Sequence, residues 1–86
     1  MSKYAEETAA RDLHKAQMAK NEEILAKLAG TDEPYFVLRA QDAFASHLVM
    51  EWARLAESGG SPFEAVQRAM RIAGVMQLWR PKKIPD

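Results

Sequence analysis

The sequence predicts an all-α fold, a small three-helix domain in which a long N-terminal helix precedes a helical hairpin. Three observations support this: a long initial run of strong helix formers without glycine or proline, two later stretches with apolar residues at helical spacing, and a Gly-Gly-Ser-Pro turn between them. One short extended segment is predicted at about residues 35–39. A chain of 86 residues is long enough for one small domain. We therefore predict a single helical domain over residues 1–86, with residues 80–86 as a flexible basic tail.

The first helix is predicted to run from a cap at Ser2 to Ala29, and Gly30 stands where a helix commonly stops. Its second half carries apolar residues at helical spacing, at Met18, Ile24, Leu25 and Leu28. Residues 1–17 offer few apolar side chains. We therefore expect the front of this helix to project, to fray, or to pack against another chain.

A turn and a short apolar run, GTDEP and YFVLR, separate the first helix from the second. Pro34 disfavours helical geometry at Glu33, and the aromatic and β-branched residues that follow favour an extended chain. A single strand cannot satisfy its own backbone groups. Residues 35–39 should therefore form an irregular buried connection, begin the second helix, or pair as a strand between two copies of the protein.

The second helix is predicted to begin at an Asp42 cap and to include the stretch AFASHLVMEWARLAES. The residues expected to face the core share one side of this helix, with Val49 and Ala56 beside them. They are Phe44, Leu48, Trp52 and Leu55. We expect this to be the core helix of the domain, ended by the Ser-Gly-Gly that follows.

The third helix has the sharpest predicted start. Residues 61–64, Ser-Pro-Phe-Glu, place a serine cap, a proline at the first helical position and a glutamate three residues after the cap, which together form a capping box. The helix should end at about Trp79, before Pro81. Its predicted inward residues are Val66, Ala69, Met70, Ala73, Met76 and Trp79. Gly74 should cost about 1 kcal/mol relative to alanine unless it permits close helix contact.

Composition limits the class of protein. The chain has no cysteine, which excludes disulfides and thiolate chemistry and fits a reducing compartment. No apolar run approaches the roughly 18 residues that a membrane span needs, and the N-terminus lacks the apolar core of a signal peptide. These features predict a soluble, cytoplasmic protein without a membrane partner. Fifteen alanines leave few large side chains for a core, so we expect a homodimer in which a second subunit supplies part of the burial.

Charge is unevenly distributed, although 12 basic and 12 acidic residues cancel. Residues 1–58 hold 7 basic and 10 acidic groups, and residues 59–86 hold 5 and 2. The C-terminal cations and one stacking aromatic form a candidate partner-binding surface at Arg68, Arg71, Trp79, Arg80, Lys82 and Lys83. Nucleic acid would use such a surface through phosphate contacts and base stacking. An acidic protein would bind such a surface equally well. The same residues are also typical of a helix C-terminus, where cations stabilise the helix dipole.

Residue patterns that carry catalysis or metal binding are sparse. His47 and Glu51 share a helical face, which is half of a metal site, but no second ligand pair accompanies them. The three residue types of a catalytic triad occur at Asp42, Ser46 and His47. Adjacent helical residues point in different directions, however, and no nucleophile elbow surrounds the serine. The SGGSP turn lacks the Gly-Lys-Ser/Thr of phosphate-binding loops. We therefore predict no catalytic residue, no metal, no cofactor and no enzyme activity.

A protein partner is the remaining prediction for function. Such a partner should use an exposed acidic or apolar surface on the long first helix. The candidate contacts there are Tyr4, Glu6, Glu7 and Asp12.

The stretch DEPYFVLRAQDAFASHLVMEWARLAESGG (32–60) and the closing MQLWRPKKIPD (76–86) resemble a class of short uncharacterised proteins of bacteria and their phages. Those proteins have an EP-x-FVLRAQD-like box, a helix with a Trp-Ala pair and a basic C-terminal Pro-Asp segment. The resemblance covers about the last two thirds of the chain and carries no known activity. It implies a phage or prophage accessory gene, a setting in which many products of this size bind and redirect a host protein.

Together these features predict a non-catalytic protein-binding accessory factor that acts on a host protein, for example a counter-defence inhibitor. The alternative is nucleic-acid or nucleotide binding through the basic C-terminal end.

Overall fold

The computed structural model describes the backbone of residues 3–84 and the side chains of residues 10–84. This part of the chain contains three helices: α1 at Lys3–Leu28, α2 at Ala45–Ser58 and α3 at Phe63–Leu78. The predicted all-α, three-helix class is confirmed. The chain divides into two compact units, Met1–Val37, which contains α1, and Leu38–Asp86, which contains α2 and α3. Residues 1–86, expected as one domain, are thus split between these two units.

The end of α1 lies where the sequence places it. Gly30 adopts a left-handed conformation with φ of +82°, which glycine accepts without steric cost and which commonly terminates helices. The Thr31 N–H and hydroxyl both donate to the carbonyl of Leu28, at 3.0 and 2.8 Å. The predicted cap at Ser2 lies outside the described residues.

The connection from α1 to α2 is irregular. Residues 31–39 form neither helix nor strand. Of the three predicted alternatives, the irregular connection is the one observed in the single chain, but Tyr35, Phe36 and Val37 are exposed where burial was expected. The segment does not begin the second helix, because α2 starts only at Ala45.

The start of α2 differs from the prediction. Phe44 occupies the N-cap position, and no side chain caps the helix. Asp42 instead closes the preceding turn: its Oδ2 accepts the N–H of Arg39 at 3.3 Å, and its own N–H donates to the Arg39 carbonyl at 2.9 Å. The prediction of Asp42 as a cap is wrong because this carboxylate accepts from an N–H that precedes the helix.

The loop from α2 to α3 is tight, and the predicted capping box does not form. Gly60 has a φ of +86°, and the Ser61 N–H donates back to the carbonyl of Ala56 at 2.9 Å. Ser61 therefore belongs to the loop, and Pro62 takes the N-cap position with no side-chain cap. The other end of α3 agrees with the prediction within one residue, since Trp79 is the C-cap.

Small residues form the core of the α2–α3 hairpin. The buried residues are Ala45, Ala53, Val66, Ala69 and Ala73. Within this core, Ala53, Val66 and Ala69 form one cluster, and partly buried Val49, Ala56 and Met70 pack against it. Val66 is the largest fully buried side chain among the residues described. Alanine at the contact allows two helices to pack closely, with Val49, Val66 and Met70 packed beside the alanine methyl groups.

The buried side of α2 is not the predicted one. Phe44, Leu48, Trp52 and Leu55 are exposed, and the alanine side is buried. At 100° per residue, the buried side lies about 100° around the helix from the predicted side. For α3 the prediction holds at Val66, Ala69 and Ala73, whereas Trp79 is exposed. Close approach of α2 and α3 explains this difference, because it leaves no space for bulky side chains between them.

The C-terminal segment returns to the turn before α2. The Lys83 N–H donates to the Gln41 carbonyl at 2.8 Å, and the Ala43 N–H donates to the Lys83 carbonyl at 2.9 Å. These bonds form an isolated parallel bridge between Asp42 and Lys83. The peptide bond between Arg80 and Pro81 is cis. The residues predicted as a flexible tail are therefore anchored, as far as residue 83, by backbone hydrogen bonds within the hairpin unit.

Candidate functional site

Four bulky side chains form an exposed apolar surface on α2, which we call the α2 apolar face. Its members are Phe44, Leu48, Trp52 and Leu55. Between 47% and 67% of each of these residues is exposed, whereas Ala45 and Ala53 of the same segment are fully buried. Spacings of four, four and three residues keep the members on one side of the helix, over about 16 Å of its length. A contiguous apolar surface of this kind is typical of a protein-binding site.

The charged residues beside the α2 apolar face pair with each other. Glu51 Oε2 and Arg54 Nη1 lie 3.3 Å apart across one turn of the helix. Both side chains remain at least half exposed, so the pair contributes little to stability. Its effect is electrostatic: opposite charges at this border leave the surroundings of the face close to neutral.

A second apolar surface runs along α1, and we call it the α1 apolar stripe. Met18 and Leu25 are separated by two helical turns and are each 45% exposed. On the opposite side of the helix, Glu23 pairs with Lys20 at 3.8 Å and with Lys27 at 3.5 Å. The second half of α1 is therefore amphipathic, and none of the described side chains of α1, residues 10–28, is buried.

The partner-binding residues predicted on the first helix all belong to α1. The side chains of Tyr4, Glu6 and Glu7 lie outside the described part of the structure. Asp12 is exposed, and a spacing of eleven residues, three helical turns, places it on the same side as Glu23. Asp12 thus lies on the charged side of α1, away from the α1 apolar stripe.

The predicted basic residues at the end of α3 bond to the helix itself. Arg80 Nη1 donates to the carbonyls of Gln77, at 3.0 Å, and Trp79, at 2.8 Å. The final carbonyls of a helix have no partner within it, and a nearby cation satisfies them favourably. Arg80 therefore acts as a cap for α3, and Trp79, about half exposed, is the residue at which the helix stops.

Lys82 joins three parts of the hairpin unit. Its ammonium Nζ donates to the carbonyl of Ala40, at 2.8 Å, and to the carbonyl of Met76, and both bonds are partly buried. Ala40 precedes α2, and Met76 lies in the last turn of α3. The Lys82 charge is consequently used inside the protein and is not presented to a ligand.

The remaining basic residues are more accessible but more dispersed. The Lys83 side chain is exposed while its backbone forms the bridge. Arg71 is exposed and Arg68 is half-buried, two to three turns before Trp79 on α3. The structure therefore brings Trp79 and residues 80–83 together at one end of the hairpin. Arg68 and Arg71 lie two to three turns earlier, within α3.

The residues with possible catalytic chemistry do not combine. Ser46 and His47 help to line an open cavity of about 220 Å³. The Asp42 carboxylate is bonded to the Arg39 N–H, and Glu51 pairs with Arg54 at 3.3 Å. Among the side chains that the structure describes, residues 10–84, no three His, Cys, Asp or Glu residues come together as a metal-ligand group. The described residues thus offer no constellation from which a reaction can be derived.

The Ser-Gly-Gly-Ser loop also uses its own donors. The N–H groups of Gly59, Gly60 and Ser61 donate to carbonyls in the last turn of α2. A phosphate cradle requires such N–H groups to point at the ligand. These three groups terminate α2 and are committed to that role.

Sequence reasoning missed the α2 apolar face as a surface because the same four residues were assigned to the core. The signal that identifies the true core is a pattern of small residues. Ala45, Ala53 and Ala56 share one side of α2, and Ala69 and Ala73 share one side of α3. Two facing rows of alanine predict close helix packing and turn the neighbouring bulky row outward.

Comparison with known proteins assigns no family to this geometry. No protein-family model matches the chain, and no significant match is found among curated proteins or solved structures. In the part of the chain that the structure describes, none of the helices combines the length and apolar character required to cross a bilayer.

Proposed function

We propose that this chain is a non-catalytic protein-binding factor that docks a protein on the α2 apolar face, and that its target is a host protein. The observation that carries the proposal is the inverted burial of α2, in which bulky residues are exposed while alanines are buried. Exposed leucine, phenylalanine and tryptophan in water are costly, and burial of each against a partner is favourable by about 1.5–3 kcal/mol. The host target is supported only by the resemblance of residues 32–60 and 76–86 to phage and prophage proteins.

The composition of the α2 apolar face fits protein recognition. Aromatic residues are enriched where proteins bind proteins, and large apolar anchors at helical spacing are the usual form in which a helix face is recognised. Trp52 lies near the middle of the row, between Leu48 and Leu55. A central tryptophan with apolar neighbours is a common arrangement of the residues that dominate binding energy.

Nucleic-acid binding through the basic end is the second hypothesis, and the structure favours it less. The ammonium of Lys82 and the guanidinium of Arg80 already bond to carbonyls at the end of α3. Binding to phosphates would remove those cations from the helix end. Arg71 and the Lys83 side chain are the exposed cations through which this alternative should be tested.

The test is an affinity capture from lysate of the native host, with and without nuclease, using matched variants. Leu48→Lys places a charge within the α2 apolar face, and Glu57→Lys places the same residue at an exposed position on the opposite side of α2. We expect one protein to be retained by the wild type and by Glu57→Lys after nuclease treatment, and to be lost with Leu48→Lys.

A double variant, Arg71→Glu with Lys83→Glu, tests the second hypothesis in the same experiment. Capture that vanishes with nuclease and with this double variant, but survives Leu48→Lys, would assign binding to the basic residues and refute the proposed docking surface. Circular dichroism of each variant establishes that the helices are intact.

A further inference from the structure

The α2 apolar face is nearly self-complementary, and we propose that in the isolated protein it is covered by a second copy of the chain in an antiparallel, two-fold contact between their α2 helices. This inference rests on the proposed function, because it names the protein that occupies the docking surface when no target is present. The contact is isologous, since both copies use the same residues.

The order of the residues along the α2 apolar face favours an antiparallel contact. In an antiparallel contact centred near residue 50, Phe44 of one copy lies opposite Leu55 of the other, and Leu48 lies opposite Trp52. Each aromatic ring then meets a leucine, so that large planar and branched side chains alternate along the contact. Two aromatic residues that had to occupy the same place, or a gap between two small ones, would argue against this register, and neither occurs.

The exposed apolar area of the α2 apolar face is large enough to form the centre of such a contact. Because an aromatic side chain can bury 150–250 Å² and about half of each ring is exposed, the four side chains together offer roughly 400 Å² of apolar surface per copy. A standard interface buries about 800 Å² per partner, with an apolar centre and a polar rim. The α2 apolar face therefore supplies an apolar centre of suitable size, and the exposed residues around it supply the rim.

The charges beside the α2 apolar face also permit two copies to approach each other. The four residues of the face are uncharged, and Glu51 and Arg54 beside them pair with each other at 3.3 Å. Two copies that approach through this face consequently do not bring unpaired like charges together. The hairpin core also consists largely of alanine, so the second copy adds burial that the single chain does not provide.

The absence of cysteine from the chain permits a direct test of the register. Phe44→Cys and Leu55→Cys chains are prepared separately and treated with a short thiol-reactive bis-maleimide, alone and mixed. In the antiparallel contact residue 44 faces residue 55 of the other copy, while two copies of residue 44 lie roughly 17 Å apart along the helices. We expect a covalent dimer in the mixture and little in either sample alone.

Sedimentation of the unmodified protein in the micromolar range provides the second measurement. We expect a dimer for the wild type and for Glu57→Lys and a monomer for Leu48→Lys. A monomeric wild type without the 44-to-55 cross-link would refute the inference, and so would cross-linking of Phe44→Cys alone, which would indicate parallel helices. In a Trp79→Phe background, where Trp52 is the only tryptophan, a monomer whose fluorescence resists quenching would refute it as well, because a segment of the same chain would then cover the face.

Failure of the dimer and failure of the proposed host-binding function give different experimental results. If the wild type is monomeric but a host protein is captured and lost with Leu48→Lys, the inference fails and the docking function stands. If the dimer forms as expected and no host protein is captured, the inference stands and the assignment of a host target fails.

Discussion

The two units of the chain are stabilised in different ways. The hairpin unit has a buried cluster around Ala53 and Val66 and backbone hydrogen bonds that join residues 41–43 to residue 83. The unit that contains α1 has no buried side chain among residues 10–28, and its side-chain ion pairs, centred on Glu23, are local and exposed. One unit is held by contacts between distant residues, and the other by the intrinsic helix preference of a continuous run of strong helix formers.

This difference teaches where changes in sequence should affect stability. In the hairpin, small residues carry the packing and large ones face the solvent, so the usual relation between side-chain size and importance for the core is reversed. Among residues 10–28 of α1 no side chain is buried, and substitutions there should act through helix propensity and local charge.

The largest effect is expected at the alanine contact. Ala53→Leu should lower the free energy of unfolding by about 2–3 kcal/mol, because the added side chain has no space between α2 and α3. Leu55→Ala, two residues away and exposed in the single chain, should change it by no more than about 0.5 kcal/mol at concentrations below those at which two copies associate. Urea unfolding followed by circular dichroism measures both. An opposite ranking would show that the bulky side of α2 is the true core.

The Lys82 contacts provide the next test of the hairpin unit. Lys82→Met keeps much of the side-chain volume but removes the donor to the Ala40 and Met76 carbonyls, and should cost about 1–2 kcal/mol in unfolding free energy. Lys83→Met is the matched control, since the bonds of Lys83 use its backbone and its side chain is exposed. Equal effects of the two substitutions would contradict the role of the Lys82 ammonium.

Two glycines of the hairpin unit should respond in opposite directions. A Cβ at Gly74 meets no atom within 4 Å, so this glycine does not permit close helix contact, and Gly74→Ala should stabilise α3 by about 0.5–1 kcal/mol. Gly60 has a φ of +86°, and Gly60→Ala should destabilise the loop by about 1 kcal/mol. Thermal unfolding of the two variants measures the contrast. Destabilisation by Gly74→Ala would reveal a close contact at that position.

The smallest effect is expected in α1. Glu23→Gln removes the exposed ion pairs with Lys20 and Lys27 while keeping a similar helix propensity. Each pair should contribute only about 0.3–0.5 kcal/mol, so the helix signal in circular dichroism should fall slightly at low salt and less at high salt. Glu22→Gln, at an exposed neighbouring position, is the control for loss of charge alone. A large loss of helix would mean that α1 depends on Glu23 for more than local pairing.

The sequence was sufficient for the number of helices and for most of their ends. Gly30 ends α1 and Pro81 follows the end of α3 as predicted, because glycine and proline act on the backbone locally. The caps at Asp42 and Ser61 were predicted wrongly: the Asp42 carboxylate accepts from an N–H that precedes α2, and the Ser61 backbone N–H donates to the last turn of α2 as part of the loop. Both helices begin one or two residues later than expected, and neither start has a side-chain cap.

The sequence predicted which basic residues of the candidate site lie at the end of α3, but it did not predict the carbonyls to which their side chains bond. Arg80 and Lys82 were correctly placed at the end of the third helix, yet the bond from Lys82 to the Ala40 carbonyl depends on how the chain turns back after α3. Spacing along the chain contains no information on contacts across 42 residues. The flexible tail predicted from composition is consequently an anchored segment up to residue 83.

By itself the sequence determined the all-α class, the three helices and the absence of thiol chemistry, because helix propensity, glycine and proline effects and residue identity are local properties. Only the tertiary structure decided which side of α2 is buried. Two apolar rows lie side by side on that helix, one of alanines and one that contains Trp52, and periodicity alone favours the bulkier row. The choice depends on α3, where Ala69 and Ala73 permit an approach that only the alanine row of α2 can match. Packing between two helices thus turned the predicted core into the surface on which we propose that a protein docks.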